Sequence, residues 1–518
     1  MTKRFIFLII FISVPIFTNS FSLAIDKTYS EERAREIEKY LFMAAGAQDR
    51  ILRIGLVDCI TYALKNNSEI LIERIEPKLK EDDIAIARAD FEPSFSADYT
   101  LHTNTKEATS TVGYTNLVKT RDADLNLGMS GKLTTGTQYD IDFLTEKYKS
   151  NASTQRLNPY YTTEPKITIT QPIFREFGIL VNTADITIAQ NNKSESQNSF
   201  KDMVMDIVTK TKIAYYDYMY YLESYAIANS SLKRAKDLLE INKARYEKGL
   251  VSSVDLLELE ASTMQREKAL LSAESSLKKS EDDLKVITNL VDEPEAWNAE
   301  LELIDGKPEF NTAEIDLLGS LQNAFRHRPD YDSKKIDLKN RDIKILTAKN
   351  ALFPTVDLVG SFGLNGLGKD YLDALESTKL DYKDWSVGFK VSVPWGGSER
   401  AEFDQRKLEL AQALIAFKRL EQNIILEVRD KVRAVDIEKR QVEASKLAKE
   451  KETENYEAHK ERYAAGQVSM HDILDYQEDL AQAELDYIKS LIDYNVALIN
   501  LDRSQALTLI KSNVKLEE

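Results

Sequence analysis

The chain has 518 residues, a formal charge of -16, four histidines and one cysteine. That charge is the wrong sign for a nucleic-acid binder, and the lone Cys59 excludes an internal disulfide, so stability must come from packing or assembly. Past the N-terminal region no apolar run reaches the roughly 18 residues of a membrane-spanning helix, which leaves a β-barrel open because its strands show only alternation.

Residues 1–24 (MTKRFIFLIIFISVPIFTNSFSLA) begin with Lys3 and Arg4, continue through an apolar stretch from Phe5 to Phe17, and end with Ser22 and Ala24 at cleavage spacing. This is an export signal; an uncleaved anchor is the other reading, although the stretch is short for one. Its removal takes the charge to -18. No cysteine lies near the cleavage point, which argues against lipid attachment there. Residues 25–55 are an N-terminal extension that includes the amphipathic SEERAREIEKYLFMAAG, and Cys59 is expected to act as a small apolar side chain on a helix face.

From there the chain reads as two repeats, residues 56–294 and 316–507, joined by a linker at 295–315 and followed by a tail at 508–518. YALKNNSEI from Tyr62 lies over NAFRHRPDY from Asn323, and Pro93 over Pro354, both at an offset of 261. ITQPIF around Pro172 answers VSVPWG around Pro394. A long internal repeat argues for two halves of one body.

After Pro93, SFSADYTLHT, DLNLGMSGKL, TQYDIDFLTEKY and KITITQP alternate apolar and polar residues. VDLVGSFGL from Val356 and WSVGFKVSVP from Trp385 do the same in the second half. These are short strands, with a turn over Thr134–Thr137. Phe91, Phe174, Phe177, Phe353 and Trp395 cluster where strands meet helices, as a membrane girdle or the end of a soluble sandwich would place them.

Residues 179–248 and 398–465 contain neither glycine nor proline. As helices they would extend roughly 105 Å and 102 Å at about 1.5 Å per residue. Tyr225, Ala228, Leu232, Ala235, Leu239, Asn242 and Tyr246 alternate steps of three and four. Ile473, Leu480, Tyr487, Leu491, Tyr494, Leu498 and Leu501 continue the seam, at the spacing of a coiled coil.

Each long helix ends in the same turn. YEKGLVSSVDLLELEAS, residues 246–262, aligns without gaps with YAAGQVSMHDILDYQED, residues 463–479. Gly249 and Gly466 can close a helix in the left-handed region, and Asp255 and Asp472 can cap the returning one. The repeated turn is the tip of a helical hairpin.

Chemistry is sparse. His102, His327, His459 and His471 form no zinc spacing, and GSFGLNGLG from Gly360 lacks the lysine-serine pair of a phosphate loop, so it reads as a surface turn. No catalytic residue, metal site or cofactor is expected.

The duplicated plan, the tips at Tyr246 and Tyr463 and the prolines 93, 172, 354 and 394 together resemble the TolC-like outer membrane efflux family over about Leu56–Leu507. The resemblance implies an α+β membrane protein, a long α-helical coiled-coil barrel joined to a transmembrane β-barrel, duplicated within the chain and trimeric. It implies four strands per copy in a twelve-stranded barrel in the outer membrane, with a long periplasmic portion in contact with an adaptor and an inner membrane transporter. The function implied is a passive exit duct of a tripartite efflux or type I secretion system; heptads alone fit an exported coiled-coil adhesin or stalk equally well.

The resemblance further implies adaptor contact at Arg245, Tyr246, Gly249, Val251 and Ser252 and at Arg462, Gly466, Val468 and Ser469. The plain alternative is that these residues only terminate helices. Asp472 and Asp475 match a gate of carboxylates, six around a threefold axis, and Asp255 matches a residue tied to Tyr463; in the alignment of the two tips Asp255 and Glu258 occupy the positions of Asp472 and Asp475. A helix cap at Asp472 and a solvated Asp475 are the alternative. Val468 replaces an arginine of the pattern, and residues 25–50 and the hairpin-like 121–147 depart from it.

Overall fold

The computed structural model describes residues 51–107, 117–152, 155–290, 298–306, 308–312, 314–393 and 396–515. The expected signal peptide, residues 25–50 of the extension, Pro394, Trp395 and the last three residues of the tail lie outside them. Strand β1 (Ile51–Ile54) precedes helices α1 (Leu56–Asn66), α2 (Ser68–Glu73) and α3 (Glu76–Ala89). Four strands follow, β2 (Ser94–Glu107), β3 (Leu117–Lys132), β4 (Gln138–Ser150) and β5 (Tyr160–Pro172). Next come α4 (Ile179–Asn182), α5 (Ala184–Glu247), α6 (Ser253–Ile287) and strand β6 (Glu300–Leu303). The second half holds α7 (Leu317–His327), α8 (Pro329–Ala351), β7 (Thr355–Leu364), β8 (Gly366–Gly368), α9 (Tyr371–Glu376) and β9 (Lys383–Ser392). It ends with α10 (Ser398–Ala464), α11 (Met470–Ser504) and α12 (Thr508–Lys511).

The two halves match in helix lengths. Helices α1 and α7 both have 11 residues and start 261 positions apart, and α6 and α11 both have 35 residues and start 217 apart. The first half therefore carries 44 residues more between those two landmarks, and the β3–β4 hairpin supplies most of them. Helices α5 and α10 run unbroken for 64 and 67 residues. The glycine-free stretch begins with a separate turn, α4, which ends at Thr183, whose backbone leaves helical geometry at φ -97° and ψ 12° while both its amide and its hydroxyl donate to the Ile179 carbonyl at 2.8 Å.

The chain forms two compact units. One comprises the described residues of 1–68, 207–312 and 437–499. There β1 and β6 pair in parallel and lie over a core of Cys59, Tyr215, Tyr218, Leu277, Leu284 and Ile492. Tyr215 donates to Asp305 at 2.8 Å and Tyr218 to the Leu301 carbonyl at 2.6 Å, so each large ring is buried with its hydroxyl satisfied. Cys59 has no exposed surface, as its place on a helix face led one to expect, and burial pushes its thiol up to about 12. The seam residues Leu232, Ala235, Ile473, Leu480, Leu491 and Tyr494 are buried.

The other unit comprises residues 69–206, 313–436 and 500–518 where described. Its sheet has the order β2-β3-β4-β5-β7-β9, with β8 also paired to β5. Every neighbouring pair is antiparallel. Where the family resemblance implies four strands, six long ones share this sheet, and residues 121–147 lie in β3 and β4. The glycines after Gly360 are not a surface turn. A Cβ on Gly366 would meet the Ala374 carbonyl and one on Gly368 the Ala374 amide, so these residues let α9 lie directly on strand β8. Phe174, Phe177 and Phe353 are exposed at the strand–helix junctions.

Candidate functional site

The two tips close by one mechanism. Gly249 has φ +73° and Gly466 φ +74°, and nothing lies within 4 Å of an added Cβ at either, so backbone conformation alone selects glycine. The Gly249 amide donates to the Tyr246 carbonyl at 2.8 Å and the Leu250 amide to Arg245 at 3.0 Å. Gly466 and Gln467 repeat this with Tyr463 and Arg462 at 3.0 and 2.9 Å. Crossed bonds of this kind satisfy the last carbonyls of a helix.

The returning helices start with reciprocal caps. Ser252 Oγ accepts from the Asp255 amide at 3.1 Å while Asp255 accepts from the Ser252 amide at 3.4 Å. Ser469 Oγ accepts from the Asp472 amide at 3.2 Å, and Asp472 accepts from the Ser469 amide at 3.0 Å and its hydroxyl at 2.7 Å. Those hydrogen bonds, the hydroxyl first and the amide second, hold the Asp472 carboxyl below the usual carboxylate range. Val251 and Val468 are half-buried beside the caps, and Arg462 is exposed.

One expected tie has different partners. Tyr463 donates its hydroxyl to Asn242 Oδ1 at 2.7 Å, not to Asp255, whose carboxylate is engaged by its own cap. Asn242 in turn donates to the Leu238 carbonyl at 2.8 Å, and the Arg245 guanidinium lies 5.7 Å from the Tyr463 ring centre. The tips meet again at His471. Its Nδ1 is 3.0 Å from Glu258 Oε1 and its Nε2 3.5 Å from Asp475 Oδ2, so one imidazole stands between the carboxylates at matching positions of the two tips.

Asn242 was visible in sequence as a polar residue at a seam position. His471 carried no signal, because Val254 occupies its place in the first copy. Asp472 and Asp475, three residues apart at the start of α11, fall near one face, as expected. Beneath them Leu259, Tyr456, Met470, Ile473, Leu474 and Leu480 form a buried cluster.

A family model described as outer membrane efflux protein matches residues 59–290 and 320–506. The chain belongs to this family. It is 25% identical over 285 residues to nodulation protein T of Rhizobium leguminosarum bv. trifolii, covering 54% of this chain and 59% of that protein. It is 26% identical over 188 residues to the outer membrane protein OprJ of Pseudomonas aeruginosa, covering 36% and 38%. The chain thus spans less than two thirds of the length of either relative. The crystal structure of the CmeC outer membrane channel of Campylobacter jejuni superimposes with a TM-score of 0.64 at 15% identity, over 89% of this chain and 90% of that one, a likeness of fold. Among the described residues, no helix is long and apolar enough to cross a membrane.

Proposed function

We propose that the chain is a passive exit duct from periplasm to exterior, built of three copies and serving a tripartite efflux or type I secretion system. The observation that carries this is the sheet. Strands β2 and β9 are its two ends and pair on one side only among the described residues, and Phe95, Tyr99 and Leu101 on β2 and Trp385, Val387 and Phe389 on β9 are exposed. An open sheet edge is untenable in lipid, so further copies must close it.

Helix α10 supports assembly. Leu408, Ile415, Leu426 and Ile437 are exposed and follow one another at steps of seven and eleven, which keeps them on one face. A second copy is the occupant that suits this stripe, because eleven-residue steps sustain contact along a bundle of long helices. The adhesin or stalk reading has no feature in its favour once a two-faced sheet is joined to membership of this family.

At the tips, Asp472 and Asp475 of three copies ring the periplasmic entrance with six carboxylates, a field that favours cations. The surfaces from Arg245 to Ser252 and from Arg462 to Ser469 contact a periplasmic adaptor, which joins the duct to an inner membrane transporter. Exposed Leu250, Val254 and Leu257 give the first tip an apolar surface for that contact. Charge reversal at Arg245 and Arg462 should weaken crosslinking to the adaptor while detergent-resistant trimers persist. Unchanged crosslinking would remove the tips from the interface, and water-soluble monomers would remove the duct.

A further inference from the structure

We infer that the β3–β4 hairpin is part of the membrane wall, so that three copies of six strands close a barrel of eighteen strands rather than twelve. The inference rests on the duct proposed above and goes beyond it.

The hairpin is threaded into the middle of the sheet. Strand β2 pairs with β3 and β4 with β5, so β2 and β5 are separated by the hairpin. Its turn is fixed at the junction with the helices. The Leu133 amide donates to the Thr137 carbonyl at 2.8 Å, Gly178 donates to Thr135 at 3.1 Å, and the Thr137 hydroxyl donates to Gln171 at 2.5 Å.

Side-chain alternation on the hairpin matches that of the other strands. In the hydrogen-bonded row that starts at Phe95, the same face carries Met129, Ile141, Ile167, Phe362 and Trp385. One residue along β3 or β4, the opposite face is mainly acidic and polar, with Asp122, Asp124 and Asn126 on β3 and Asp140, Asp142 and Glu146 on β4, interrupted there by Leu144 and followed by Tyr148. A flap folded away from the wall has no need of an apolar face in register with its neighbours. A wall strand does, because lipid touches one side and water the other. Past the belt the apolar side turns basic, at Arg121 and its partner Lys149, where long cationic side chains reach the polar headgroups.

The belt also slopes as a closed barrel requires. On β2 it runs from Phe95 to Leu101, to one side of the Phe95–Trp385 row, and on β9 from Trp385 to Val391, to the other side. Its midpoint slides by about six residues over five strand-to-strand steps. At roughly 3.3 Å per residue and roughly 4.8 Å per strand, that is a tilt of about 40°, within the roughly 35–45° of transmembrane barrels. An even count of antiparallel strands leaves β2 and β9 pointing in opposite directions, so β9 of one copy can continue the antiparallel order onto β2 of the next. Because barrel diameter grows roughly linearly with strand number, the outer membrane pore is about half again as wide as one with twelve strands.

The test places a single fluorophore on an introduced cysteine in the trimer reconstituted in vesicles, with buried Cys59 left in place. Leu127→Cys and Phe143→Cys should be quenched several-fold by brominated lipid and shielded from iodide, and Asp124→Cys and Asp142→Cys should behave in the opposite way. Phe389→Cys, on a strand outside the hairpin, reports whether the sheet is in lipid at all. Iodide quenching on both hairpin faces, with Phe389→Cys still quenched by lipid and the trimer intact, would overturn the eighteen-strand wall and leave the duct standing. Loss of lipid quenching at Phe389→Cys as well would overturn both. Because labelled variants can fail to insert, electron cryomicroscopy of the unmodified trimer in a lipid nanodisc supplies the second reading: eighteen strands are expected, and twelve would refute the inference.

Discussion

The two tips share a turn and differ in what lies under it. Both use a left-handed glycine and a serine–aspartate capping box. Yet Leu257 is 64% exposed while its counterpart Leu474 is 6% exposed, in the cluster with Leu259 and Tyr456. The two tips share the local chemistry that makes a turn, whereas packing differs at this position: Leu474 is buried against Leu259 of the first tip's returning helix, and Leu257 is left as an apolar side chain on the surface. The same holds for Val254 and His471, which align but give the first tip an apolar side chain and the second a link to Glu258.

The largest effect should come from the buried side of this pair. Leu474→Ala should destabilise the second tip by about 2–4 kcal/mol through lost burial and a cavity, while Leu257→Ala stays within about 0.5 kcal/mol. Hydrogen exchange of the tip amides measures both, and equal losses would erase the contrast. Gly249→Ala and Gly466→Ala should each cost about 1–2 kcal/mol, because both positions are left-handed and neither is crowded. This is where the tips should behave alike, and a large difference would mean their turns are not equivalent.

Tyr463→Phe removes the hydroxyl bonded to Asn242 and should cost about 1 kcal/mol. Asn242→Ala in the Tyr463→Phe background should then cost less than in the native chain, a coupling that a double-mutant cycle reads directly. The smallest effect concerns acid. The Asp472 carboxyl is lowered in the folded chain, so its contribution is present above the unfolded value of about 3.9 and is lost as pH falls through the lowered folded value. Asp472→Asn should therefore flatten the acid limb of second-tip protection, and an unchanged limb would show that the cap does not titrate there.

Much of this was legible because it is local. Gly249 and Gly466, the caps at Ser252 and Ser469, and the length of α10 follow from residues within a few positions of one another. The strands were legible from alternation, but their number in one sheet was not, because alternation marks a strand without naming its neighbour. Only the pairing of β2 with β3 and of β4 with β5 places the hairpin in the sheet. The partner of Tyr463 was hidden for a related reason: Asn242 lies 221 residues away, and Asp255 was already occupied three residues back. At Gly366 and Gly368 a glycine cluster looked like a turn because sequence does not show that α9 packs on it.

Planar-bilayer recording of the purified chain tests the duct and its gate together. The native protein should insert as trimers that open in discrete conductance steps with a preference for cations and block by multivalent cations. The double variant Asp472→Ala, Asp475→Ala should form as many trimers and lose much of that preference. Native trimers that insert but show the same ion selectivity as the double variant would contradict the carboxylate gate, and a native chain that gives no conductance steps would contradict the duct itself.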